Sequence, residues 1–333
     1  MNENGRKPVV VVTGATAGVG RAVAREFAQR GWRVALLARG LDGLAGARRD
    51  VEELGGEALE LPTDVADEAQ VEAAAAAVEA QWGAIDVWVN DAMATIYAEA
   101  MDIPPADFRR ATEVTYLGTV WGTMAALRRM KPRDRGSIVQ VGSALAYRSI
   151  PLQAPYCGAK AAIRGFTDSL RSELAHDHSG VHLTMVQLSA FNTPQFEWGR
   201  TTLDKRPRPM GKIFQPELAA RAVYFAATHR RREVWVGWPA VQAIVGTKFI
   251  PGILDRMLGR TAVDGQNTGE PLPPGRKDNL WQPVPGDHGA HGRFDAQAHA
   301  DSAQYWLTTH RAEVGLAALG VAAVAGLLLG RRR

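Results

Sequence analysis

Thr13-Gly14-Ala15-Thr16-Ala17-Gly18-Val19-Gly20 decides the fold of this chain. Before it stands Pro8-Val9-Val10-Val11-Val12, a continuous β-branched run. Such a run suits a strand buried on both faces of a parallel sheet. After it comes Arg21-Ala22-Val23-Ala24-Arg25-Glu26-Phe27-Ala28, which has helical spacing and is stopped by Gly31. A strand, a glycine-rich turn and a helix in that order make a cradle for a pyrophosphate. Glycines let the backbone come close, and the helix start offers N–H groups and the positive end of its dipole.

The same alternation continues outward. Strands are expected near 33–38, 57–61, 85–90, 137–142, 182–188 and 233–237, and helices near 42–54, 66–81, 105–130, 154–177 and 216–229. Parallel neighbours need crossover connections, so the pattern predicts an α/β, Rossmann-like doubly wound sheet of about seven strands. This domain takes residues 7–250. Residues 251–311 are rich in Pro, Gly and His, as in Pro271-Leu272-Pro273-Pro274-Gly275 and Pro283-Val284-Pro285-Gly286-Asp287-His288-Gly289. They read as an irregular C-terminal arm.

Residues 312–333 read as a terminal apolar helix with an Arg-rich end. Val314 to Gly330 carries no charge, Tyr305-Trp306 precede it and Arg331-Arg332-Arg333 follow it. Aromatic and basic flanks of this kind anchor a membrane segment. Ala318, Ala322, Gly326 and Gly330 form a small-residue stripe. A membrane anchor through 314–330 is expected, with a helix docked on the protein as the alternative.

Composition bounds the rest. The 333 residues are 46% hydrophobic, which excludes general disorder. Lys plus Arg number 39 and Asp plus Glu 35, a surplus of +4. That is too small to imply a nucleic-acid partner. Cys157 is the one cysteine, which excludes an intrachain disulfide and a Cys-based zinc site. It reads as a small packed residue. Asp287, His288 and His291 have a spacing that permits a metal, but without further ligands they read as solvated. No metal is expected. The N-terminal residues show no secretory hydrophobic region.

Tyr156 and Lys160 stand four apart and share a helix face. A nearby cation favours phenolate, so such a Tyr can donate or accept a proton near neutral pH. Ser143 closes the fifth strand, 13 residues before Tyr156. The second strand ends Leu36-Leu37-Ala38-Arg39. An acid there would bind both ribose hydroxyls and repel a 2′-phosphate. Ala38 holds that place and Arg39 follows, and a guanidinium suits a phosphate. NADP(H) is therefore favoured over NAD(H).

Thr-Gly-x-x-x-Gly-x-Gly, Ser143 and Tyr-x-x-x-Lys together resemble the short-chain dehydrogenase/reductase family over roughly residues 7–240. The resemblance implies that Tyr156 is the general acid/base and that Lys160 lowers its pKa and holds the nicotinamide ribose. It implies that Ser143 orients the substrate oxygen and Thr193 contacts the carboxamide. Asp64-Val65 matches the adenine pair. With Thr13, Gly14, Thr16, Gly18, Val19, Gly20, Arg39, Asn90 and Ala92 these complete the expected cofactor set.

Three stretches depart from the family's pattern. Asn-Asn-Ala-Gly is here Asn90-Asp91-Ala92-Met93, with a bulky Met93 where a glycine sits. Thr115 stands in the place of the helix Asn and is counted with the catalytic set. Ser189-Ala190 replaces Pro-Gly.

The expected activity is NADP(H)-dependent interconversion of a carbonyl and a secondary alcohol. Its substrate segment is about 194–214, with Phe191, Phe196 and Trp198 as apolar wall. Lys205-Arg206-Pro207-Arg208 is a candidate for an anionic substrate or lipid headgroup, with a solvated loop as the alternative. A membrane tail would imply a lipophilic substrate and a membrane-associated cytoplasmic domain. The family implies a homodimer or homotetramer through the helices near 105–130 and 154–177. The alternative is a membrane-tethered NADP(H)-binding sensor or scaffold with little catalysis, motivated by Met93 and Thr115.

Overall fold

The structure, a computed structural model, describes residues 5–315. Seven strands form the central sheet: β1 (Val9–Thr13), β2 (Arg33–Ala38), β3 (Glu57–Pro62), β4 (Val87–Asn90), β5 (Ser137–Ser143), β6 (His182–Leu188) and β7 (Glu233–Val236). Their spatial order is β3-β2-β1-β4-β5-β6-β7, with every neighbouring pair parallel. Helices make the crossovers: α1 (Gly18–Gln29), α2 (Leu41–Glu53), α3 (Glu68–Trp82), α4 (Pro105–Thr112), α5 (Gly118–Met130), α6 (Ala154–His176) and α7 (Pro216–Thr228).

The sheet is buried on both faces, which is why β1 is apolar throughout. Side chains alternate across a strand. Val10 and Val12 enter the core that also holds Phe27, Leu44 and Val223. Val9 and Val11 enter the core that holds Val78, Trp88 and Leu127. Between α4 and α5 the helix widens into one π turn, Glu113–Leu117.

The arm departs from its irregular expectation. After α8 (Trp238–Phe249), residues Pro251–Gly265 form a further helix, α9. Pro251 suits the first helical position, where its missing N–H costs nothing. Leu258 and Ala262, four apart, supply the buried face. The helical period is hidden in the sequence because Ile253, Met257 and Val263 remain exposed. Asn267–Pro271 then pairs antiparallel with Lys205–Pro207, and a short helix, α10 (Ala303–Thr309), docks beside β7. Of the apolar run 314–330, all but Val314 and Gly315 lies outside the described residues. Among the described residues no helix is long and apolar enough to cross a membrane.

Candidate functional site

The strand order reverses at β1 and β4, and a crevice opens there beyond the strand ends, as expected for open α/β sheets. The turn after β1 needs its glycines. Gly14 has φ +71°, and a Cβ there would lie 2.9 Å from the Ala92 backbone. At Gly20 a Cβ would lie 2.3 Å from the Gly14 carbonyl oxygen. The Thr13 hydroxyl accepts the N–H groups of Asp91 and Ala92 at 3.0 and 3.1 Å, which ties this turn to the end of β4.

A cavity of about 590 Å³ fills the crevice. Gly14, Thr16, Gly18, Val19, Arg39, Asp64 and Val65 line one end, and Ala92, Ser143, Tyr156, Lys160 and Thr193 line the other. Phe191, Phe196 and Trp198 form part of its apolar wall, as expected, together with Met93, Met210 and Leu254.

Helix α6 presents Tyr156 and Lys160 to this cavity. Lys160 Nζ donates to the Val141 carbonyl at 2.6 Å and lies 5.6 Å from the centre of the Tyr156 ring. The Ser143 hydroxyl lies near the Tyr156 phenol and favours its ionised form. Ser143 Oγ accepts the Leu145 N–H at 3.1 Å. Burial pushes the Tyr156 phenol up, and Ser143 only partly opposes this. The lowered phenol expected from the Tyr-Lys spacing is therefore not a property of the site by itself. Burial also pulls the Lys160 ammonium down to about 8, against the attraction of Asp91.

Asp91 was missed in the sequence. Burial pushes its carboxyl up to about 7, opposed by the Lys160 charge and by the nearby Gly20 N–H. The signal was available, since an acid replaces the second Asn of the family's Asn-Asn-Ala-Gly. Cys157 is buried, and that burial pushes its thiol up.

Four expected site residues do not line the cavity: Thr13, Gly20, Asn90 and Thr115. Thr13 and Gly20 shape the turn instead. Thr115 is fully buried, and its hydroxyl donates to the Ala94 carbonyl at 3.0 Å and accepts the Ala94 N–H at 2.9 Å. Both its bonds are spent holding the loop after β4, so it is not aimed at Lys160.

Asn90 is committed to the core. Its amide donates to Thr123 at 3.0 Å and Gln140 at 2.9 Å, and its oxygen accepts the Trp88 indole N–H at 2.9 Å. Asn90→Ala strands the indole donor and is expected to cost about 1–3 kcal/mol. A fall in the urea midpoint at unchanged slope would register this. An unchanged midpoint would refute it.

The basic segment divides. Arg208 lines the cavity, whereas Arg206 lies near Glu197 and Glu270. The arm's acid and histidines go to separate partners: Asp287 pairs with Arg21 at 3.0 Å, and His291 bridges Glu217 and Asp295 at 2.8 and 2.7 Å. Arg39 is at the cavity but already occupied. It donates to the carbonyls of Asn279, Leu280 and Trp281, the latter two at 3.2 Å.

The sequence profile of the short chain dehydrogenase family matches residues 8–202. An uncharacterized oxidoreductase of Bacillus subtilis, YxnA, is 32% identical over 283 residues, covering 84% of this chain and 79% of its own. Two solved structures are similar at 25% identity. An alcohol dehydrogenase from Thermococcus sibiricus, complexed with 5-hydroxy-NADP, has a TM-score of 0.61 and covers 69% of this chain and 96% of its own. A metagenomic short-chain oxidoreductase in complex with NADP has a TM-score of 0.59 and covers 69% and 97%.

Proposed function

This chain belongs to the short-chain dehydrogenase/reductase family of oxidoreductases, and from that premise we propose that it interconverts a carbonyl and a secondary alcohol with NADP(H). One observation carries the reading. Ser143, Tyr156 and Lys160 open onto the same cavity as the Gly14–Gly18 turn and Arg39. That cavity fits a dinucleotide. The turn is a cradle that a Cβ at Gly14 would fill, and α1 points its positive end there.

Thr16, Gly18, Arg39, Asp64 and Val65 would hold the adenosine end, and Lys160 and Thr193 the nicotinamide riboside. When bound, the dinucleotide supplies or accepts a hydride. The chain handles the proton. Ser143 and Tyr156 hydroxyls hold the substrate oxygen between them. In reduction Tyr156 donates its proton to that oxygen, and in oxidation it takes one. The Lys160 cation favours the phenolate that this leaves.

The apolar wall supports a lipophilic substrate. Met257, on α9, lines the cavity and is itself 48% exposed, beside exposed Phe249 and Ile253. A membrane anchor through 314–330 belongs to the same reading. So does a homodimer or homotetramer through α4–α6, which sedimentation velocity tests.

The first test is a fluorescence titration with NADPH and NADH in parallel. NADPH is expected to bind at least about tenfold tighter, and Arg39→Ala to remove the preference, because a hydrogen bond to a charged group is worth about 1.5–3 kcal/mol. Equal affinities would refute the NADP(H) preference, and binding of neither cofactor would refute the enzyme. Met93, bulky and facing the cavity, favours the second reading, a sensor or scaffold. That protein would bind NADPH yet reduce none of a panel of lipophilic ketones.

A further inference from the structure

Residues 279–292 lie beyond the stretch that matches the family profile, and they cross the mouth of the crevice. Their first part is anchored. Leu280 is fully buried in the core that contains Val65 and Val114. Its carbonyl accepts from Arg39 at 3.2 Å and from Arg110 at 3.3 Å. Trp281 donates its indole N–H to Asp107 at 2.8 Å.

The middle part lies on the start of α2. The Gly286 N–H donates to Asp42 at 2.8 Å. The Asp287 carboxylate fills the space above Gly46, where a Cβ would lie 1.9 Å from it. The same carboxylate pairs with buried Arg21 on α1. The last part reaches the far bank. The Gly289 carbonyl accepts the Gly18 N–H at 3.1 Å at the helix start, a bond that a bound pyrophosphate would replace. His288 packs on Trp198 with ring centres 4.6 Å apart. The Gly292 N–H donates to the Asn192 carbonyl at 3.3 Å. Between these anchors Asn279, Pro283, Val284, Gly286 and His288 line the cavity opposite the glycine-rich turn.

We propose that residues 279–292 are a strap that completes the adenosine end of the cofactor site and must lift for the cofactor to be exchanged. The inference rests on the nicotinamide-dinucleotide reading above. The three carbonyls of Asn279, Leu280 and Trp281 fan around the Arg39 guanidinium and hold its plane, so they are positioning groups for the adenosine 2′ end. Lifting the strap exposes Leu280 and breaks the Arg21–Asp287 pair. Opening is therefore a gate of the kind that limits exchange in enzymes with closing segments. Each hydride transfer leaves the dinucleotide spent, so the strap must open once per turnover for its exchange, while substrate enters from the α8–α9 side.

A reversible lock tests this on the full chain. A Cβ at Gly40 would lie 3.3 Å from Pro283 Cβ, close to the reach of about 3.5–4.5 Å that a disulfide needs. Gly40 has φ −86°, which a cysteine adopts without strain. The double variant Gly40→Cys, Pro283→Cys is loaded with NADPH, oxidised, and compared with the same protein after reduction.

The oxidised form is expected to release NADPH at least about tenfold more slowly, as a locked gate requires. Uptake by empty oxidised protein is expected to slow equally. Equal rates in protein whose crosslink is confirmed by mass overturn the strap and leave the cofactor reading intact. Leu280→Ala tests the converse, since it loosens the anchor: NADPH is expected to leave at least about tenfold faster, and an unchanged rate overturns the strap. Failure of the native chain to bind either NADPH or NADH removes the cofactor reading and the strap with it.

Discussion

Tyr156→Phe is expected to lower kcat by about 10²–10⁴-fold while NADPH affinity stays within about twofold. The substitution removes one oxygen and leaves the ring in place. That oxygen is the group the Ser143 hydroxyl acts on, in a ring whose centre lies 5.6 Å from Lys160 Nζ. Without it, the proton that accompanies hydride transfer has no donor at the substrate oxygen. On the proposed mechanism Ser143 keeps its hold on the substrate oxygen, so KM is expected to move far less than kcat. In the native protein, carbonyl reduction is expected to weaken as pH rises past about 8. There the buried Lys160 loses the charge that burial already disfavours. A Phe variant that keeps more than about a tenth of native turnover would assign the proton to another group and sink the mechanism, because general acid catalysis of this kind is worth at least 10²-fold.

Gly20→Ala is expected to abolish NADPH binding and to destabilise the fold together. Its Cβ would lie 2.3 Å from the Gly14 carbonyl oxygen and 2.8 Å from Asp91 Oδ2. The first contact sets a Cβ whose place the backbone fixes against a backbone oxygen, so no side-chain rotation relieves it. Helix α1 must shift, and the turn that ends at its start must open. Overpacking of this kind costs about 1–3 kcal/mol, with the upper end expected where backbone cannot yield.

Thermal unfolding with and without NADPH reads both effects. The variant is expected to melt lower, and the rise in Tm that ligand binding gives the native chain is expected to vanish. Gly165→Ala is the control. Nothing lies within 4 Å of its Cβ in the middle of α6, so it is expected to be neutral or stabilising by up to about 1 kcal/mol. A Gly20→Ala protein that NADPH stabilises as well as the native one would refute the role given to this turn.

Much of the molecule was legible in the chain. All seven sheet strands and the crossover helices fall where hydrophobic period and glycine placement put them. These are local properties: each residue's face is set by its own neighbours along the strand or helix. Spacing also brought Tyr156 and Lys160 to one face, and the turn's glycines to positions where a Cβ would collide.

Where the structure departs from the sequence reading, the cause is of another kind. The sequence places Asn90 and Thr115 at the site, whereas in the structure Trp88, Thr123 and Gln140 take up the Asn90 amide. Thr115 is spent on Ala94. A side chain with several bonding groups serves whichever partners packing brings near, and sequence carries no record of them. Helix α9 escaped because its buried stripe is only Leu258 and Ala262, too thin to give a period.

The sequence by itself determined the doubly wound sheet, the glycine-rich turn and the shared helix face of Tyr156 and Lys160, because each depends on residue type at short spacing. Only the tertiary structure decided that the half-buried Asp91 carboxylate acts on Lys160. The same holds for the carbonyls of residues 279–281, which already hold Arg39, and for the Pro/Gly-rich arm, which lies across the crevice. Those arrangements join residues about 70 to 270 positions apart. Their cause is the burial of Leu280 and the pairing of Asp287 with Arg21, contacts that exist only once the sheet has brought its strand ends together.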